Sequence, residues 1–135
     1  MEDFVTFEIT NKLKEKGFNW KVNAYYGKHK NIFEVHPAMD MNDCEYRCSA
    51  PTISQVLKWL REEKQLHIDV GIYQDSSRDA DGCIIETWSF WCYDIQNTLN
   101  GDLIYDFANT FDTIEFETYK EAVLHGINYV LNNLI

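Results

Sequence analysis

The residues best suited to chemistry fall in three places. Ser77-x-Asp79-x-Asp81-Gly82 copies the first half of a calcium loop, in which alternate oxygen ligands precede a glycine at a sharp turn. The twelfth position would be Trp88, which has no carboxylate to offer, so the run is expected to be a polar hairpin loop closed by Asp81-Gly82. Cys44-x3-Cys48, with His36 upstream, is the nearest approach to a zinc site, because zinc takes thiolate or imidazole ligands on a tetrahedron. A second half-site is missing. Cys83 and Cys92 stand an odd number of residues apart in a strand pattern, which turns their side chains to opposite faces. The four cysteines are therefore expected as reduced thiols, with neither metal nor cofactor.

Histidines 29, 36, 67 and 125 have the ring chemistry of a general base, since imidazole titrates near neutral pH, but none comes with a partner set. His67 and Asp69 alternate onto one strand face and are expected to face a residue such as Glu86 or Trp88. His125 stands beside Gly126, whose missing side chain lets a helix approach its neighbour closely. The signatures G-x-G-x-x-G, G-x-x-x-x-G-K-[ST], H-E-x-x-H and G-x-S-x-G are all absent, which lowers the weight of an enzyme and names no catalytic residue.

What must position these residues is read from periodicity. Pro51 keeps Ala50 out of the helical region, and Thr52-x-x-Gln55 is a capping box that starts a helix. Ile53, Val56, Leu57 and Leu60 then form one stripe, with Lys58, Arg61 and Glu62 turned away. From Leu66 the period becomes two, with Leu66, Ile68, Val70 and Ile72 on one face of a strand. An earlier helix is expected over 6–16, with Thr6 as N-cap and Gly17 after its end, followed by strands at 22–26 and 31–36 about the turn Gly27-Lys28-His29-Lys30. Residues 37–49 lack periodicity and are expected to be a surface loop. A second long strand, 83–95, is apolar on both faces. Asn100-Gly101 signals a turn before a short strand at 103–107, and Thr118-x-x-Glu121 caps a last helix with Val123, Ile127, Val130, Leu131 and Leu134 inward.

The expected fold is α+β: a mainly antiparallel sheet of about four to five strands with three helices, in the order α-β-β-α-β-β-(β)-α, as one domain over 1–135. Length permits one ordinary core, and 45% hydrophobic with 15% aromatic residues excludes a disordered or fibrous chain. No apolar run nears the roughly 20 residues that span a bilayer, and MEDFVTFEIT lacks the layout of a secretory signal, so a cytoplasmic protein without membrane association is expected. The net charge of −10 argues against nucleic acid as a partner and leaves open a basic target protein or mimicry of nucleic acid.

The segments TNKLKEKGF, CSAPTISQVLKWLREEKQLHIDV and TYKEAVLHGINYVLNNLI together resemble a family of small uncharacterised proteins of Bacteroides-type gut bacteria, their phages and mobile elements. The resemblance implies origin and intracellular location, and no activity or ligand.

Two functions of different class remain. One is a non-catalytic protein-binding module that pairs with itself or with another protein through aromatic strand surface around Trp88, Phe90 and Trp91. The other is a small ligand-binding protein or enzyme. Its pocket would be built from Asp40 and Asp43 of the 37–48 loop, Thr52 at the helix entrance, where an anion could sit, and His67.

Overall fold

A threonine ahead of an apolar helical stripe starts the first helix: Thr6 Oγ1 accepts from Ile9 N at 3.4 Å, and α1 runs Phe7–Glu15 with Ile9 and Leu13 buried. Gly17, at φ 85°, takes the left-handed conformation that ends it, and Phe18 N donates back to Leu13 O at 3.0 Å. The computed structural model describes residues 3–106 and 114–135. After α1 come β1 (Val22–Tyr26), β2 (Ile32–Met39), β3 (Cys48–Ser49), α2 (Ile53–Glu63), β4 (Leu66–Arg78), β5 (Ile84–Asn97), β6 (Leu103–Tyr105) and α3 (Tyr119–Asn133). Among the described residues the fold is α+β with three helices, as expected. Its strands form two antiparallel sheets of three, ordered β2-β1-β3 and β4-β5-β6, in place of one sheet of four to five. The chain divides into two compact units, residues 1–64 with 127–135, and residues 65–126.

In the first unit β1 is central, pairing Tyr25 with Phe33 on one side and Tyr25 with Ser49 on the other. Strand β2 continues through Pro37 to Met39, past the expected end at His36; at the edge of a sheet no neighbour needs the missing proline N–H. Strand β3 lies inside the expected loop, since two residues are too short to show a period. The rest of that loop is held by Asn42, whose side chain donates to Phe18 O at 2.8 Å and accepts from Ser49 N at 2.8 Å.

Helix α2 has the full capping box: Gln55 N donates to Thr52 Oγ1 at 3.2 Å, and Thr52 N donates to Gln55 Oε1 at 2.9 Å. Its buried stripe differs by one residue from the expected one. Trp59 takes the place given to Leu57, lying edge-on to Phe18 at 5.4 Å with Lys64 over its ring, because the larger apolar surface wins the inward position.

In the second unit β4 runs past the alternation that ends at Ile72, as far as Arg78, so the polar hairpin loop is confined to 79–83, and β5 continues two residues past its expected end at 95. Polar pairs such as Ser76 and Thr87, with hydroxyls 3.2 Å apart, carry the ladder outward where no apolar period signals it. Asn97 N reaches Asp102 O around the Asn100-Gly101 turn, and β6 follows; the part of that expectation beyond 106 lies outside the described residues. At α3 half a capping box forms: Glu121 N donates to Thr118 Oγ1 at 3.1 Å, while Glu121 Oε2 accepts from Glu117 N. The helix begins in the second unit, where Ala122 and Val123 are buried, and ends in the first with Ile127, Val130 and Leu131. No helix of the described residues is long and apolar enough to cross a membrane.

Candidate functional site

The long hairpin of β4 and β5 is covered unevenly along its length. Near its base Ile68 pairs with Ile95 and Val70 with Tyr93, and α3 lies close upon them: a Cβ on Gly126 would stand 3.0 Å from Ile68 Cγ2 and 3.3 Å from the Tyr93 ring. Tyr93 OH and His125 Nδ1 are 2.8 Å apart, and Tyr93 stacks on Tyr105 at 5.0 Å. Burial holds the His125 imidazole below its ordinary pKa.

Further out, Phe116 exchanges backbone hydrogen bonds with Trp91 at 2.8 and 2.9 Å, and Tyr119 meets the Trp91 ring edge-on at 5.7 Å. Trp88 Nε1 donates to Glu115 Oε1 at 3.3 Å. Phe90 is 9% exposed and lies parallel to Tyr73 at 6.5 Å. Of the three aromatic residues expected to form a surface, Phe90 is therefore buried, and Trp88 and Trp91 are half-buried against residues 115–119.

On the hairpin the most exposed large apolar side chains are isoleucines. Ile72, Ile84 and Ile85 are 60%, 57% and 67% exposed. Ile72 is the cross-strand partner of Trp91. Ile85 is an extra residue, since Ser77 pairs with Glu86 and Arg78 with Ile84; a bulge of this kind bends the strand and re-aims its side chains. The alternation of residues 83–95 showed that both faces were apolar. It could not show that the large rings fold down upon neighbours and leave the shorter branched chains outside.

Exposed carboxylates recur along this hairpin, at Asp69, Asp75, Asp79, Asp81 and Glu86, against one exposed cation, Arg78; Asp69 and Asp75 alternate onto the β4 face opposite Ile72. Residues 65–126 hold twelve Asp and Glu against Arg78 and Lys120. The other unit balances ten against ten, so the whole net charge of −10 belongs to the unit that carries the hairpin.

The calcium-like run has a structural task. Asp79 Oδ1 accepts from Asp81 N and Cys83 N, both at 2.9 Å, and Arg78 donates to Gly82 O at 2.7 Å, closing the tip. His67 faces Gln96 and Asp69 faces Asp94, so the register does not bring them to Glu86 or Trp88, which pair with Ser77 and Asp75.

A cavity of about 370 Å³ does open at the start of α2, lined by Phe4, Asn23, Thr52, Ser54, Gln55 and Lys58. Asp40, Asp43 and His67 do not line it. Asp40 accepts from Asn42 N at 2.9 Å, Asp43 stands 3.9 Å from Arg47, and His67 belongs to β4 of the second unit. The α2 amides are largely engaged, Ile53 N by Asp3 O and Gln55 N by Thr52, and the lining holds no general base or nucleophile set beside a base.

A comparison with family models, curated proteins and solved structures returns no match.

The cysteines are spread in character. Cys48 donates to Asn11 Oδ1 at 3.1 Å, Cys83 is exposed, and Cys92 is buried with its pKa pushed up to about 12 by desolvation and then by Asp94. The Cys44 thiol is held below its ordinary range, first by the Tyr46 backbone and further by Arg47. Among the described residues no three His, Cys, Asp or Glu side chains are grouped to hold a metal.

Proposed function

We propose that this chain is a non-catalytic protein-binding module that docks through the outer half of the β4–β5 hairpin. The observation that carries this is the exposure of Ile72, Ile84 and Ile85 on a hairpin that is otherwise rich in exposed carboxylates, since apolar contact residues set among charged ones are the make-up of specific interfaces. The expected aromatic surface is thereby moved outward, with Trp88 and Trp91 as its inner margin. Pairing of this hairpin with the same hairpin of a second copy would oppose like charges, which favours a different protein as partner. The intracellular setting and the phage or mobile-element origin belong to the same proposal, supported by the resemblance of the three segments quoted above.

The test is retention of a protein from host extract by immobilised wild-type chain and by the double variant Ile84→Ser/Ile85→Ser. A protein held by the first and released by the second is the expected result, and identical retention by both would overturn the docking role. The ligand-binding alternative keeps the cavity at α2, whose walls offer Asn23, Ser54 and Lys58 for polar contact, and a smaller one of about 160 Å³ to which Glu45, Tyr46 and Cys48 of the 37–48 loop contribute.

A further inference from the structure

Among the described residues four strands lie at sheet edges, and three of them are protected against adding another strand. Strand β2 carries Pro37, and the register of its pairing with β1 shifts between Val22 and Ala24. Strand β3 has 2 residues and β6 has 3, too few to template a partner. Natural edges are guarded by just such devices: proline, irregular pairing, short length, or lysine. Strand β4 is the exception. It has 13 residues and neither Pro nor Lys, and its pairing shifts register only at the tip, between Ser77 and Arg78, where the extra residue Ile85 belongs to β5. Its one strand neighbour is β5, and among the described residues no isolated bridge joins it to anything else.

The polar positions of β4 supply carboxylates, with Asp69 and Asp75 both exposed, while Ile68, Val70 and Ile72 alternate on the other face. Two copies of β4 side by side would bring those carboxylates together. An incoming strand with lysine or arginine at alternate positions would place cations beside them and apolar side chains beside Ile72. From this contrast we infer that β4 takes an added strand from another protein, an extended cationic segment in which basic and apolar residues alternate. The inference rests on the docking role proposed above and names its partner chemistry and mode. Main-chain hydrogen bonds along β4 give the binding strength, and the charges select against a second copy of the chain.

The probe is the capped peptide (Lys-Val)4, compared with (Lys-Pro)4, which has equal charge and cannot complete a ladder. Calorimetry should show (Lys-Val)4 binding roughly tenfold or more tightly than (Lys-Pro)4, with slowed hydrogen exchange of backbone amides within residues 66–78. The double variant Asp69→Lys/Asp75→Lys, its fold checked by circular dichroism, should lose that binding.

Equal binding of both peptides without protection of β4 would reduce the effect to general attraction by an acidic surface and overturn the inference. So would no binding of (Lys-Val)4, or a dimer of the free chain with its β4 amides protected. The docking role itself is decided separately by the Ile84→Ser/Ile85→Ser comparison, so a β4 edge that takes no peptide can fail while the hairpin tip still retains its protein.

Discussion

At Gly126 the last helix lies close to the hairpin base, and any side chain there would make Ile68 and Tyr93 give way. Gly126→Val should lower stability by about 1–3 kcal/mol through overpacking against Ile68 and Tyr93, exceeding the gain of up to about 1 kcal/mol from leaving glycine in a helix. Urea denaturation measures it, and an unchanged midpoint would refute the close contact. Beside it, His125 binds its proton less readily folded than unfolded. The unfolded chain takes up the proton first as pH falls below 6.5, so the His125 contribution is fully present above that pH and is lost as pH drops through the lower folded value. In His125→Gln the loss of stability between pH 6.5 and about 5, above the carboxylate range, should flatten. The thiols should also separate by reactivity. At pH 7.5 iodoacetamide is expected to alkylate Cys83 and Cys44 before Cys48 and Cys92, because reaction needs an accessible thiolate; peptide mass spectrometry reads the order.

The elements differ in how well their residues announced them. The caps at Thr6 and Thr52 were legible because a cap is a local bargain between a hydroxyl and an amide three residues on, and Thr52→Ala should cost about 1 kcal/mol in the same urea measurement. The outer half of β5 was legible and that of β4 was not, since β4 passes there through Gln74, Asp75, Ser76 and Ser77, where hydrogen bonding between strands holds the chain without an apolar alternation. Nor was the division into two sheets, because periodicity identifies a strand and is silent about its neighbour. The candidate surface was half legible: residues 83–95 showed too much apolar material for two covered faces, but rings chosen for size proved to be the inner members. Serine at Ile84 and Ile85 should therefore leave folding stability within about 0.5 kcal/mol while removing the docking surface, a separation that a core position could not show.

Across the whole molecule, charge is the property most unevenly placed. Twelve acidic residues and two basic ones in residues 65–126 repel one another at low ionic strength, while the other unit is balanced. Raising sodium chloride should therefore raise the thermal midpoint, and calorimetry showing a flat or falling midpoint would contradict self-repulsion. Association with a basic partner should respond in the opposite sense, weakening as salt screens the attraction.

The division of the chain has one more effect, on the order of folding. Residues 65–126 are continuous, whereas the first unit joins residues 1–64 to 127–135, with Lys12 of α1 hydrogen-bonded to Asn128 of α3. During synthesis the whole acidic hairpin is made before Ile127, Val130 and Leu131 exist to fill the core of the first unit. The N-terminal half must wait, incompletely packed, for the final helix to arrive.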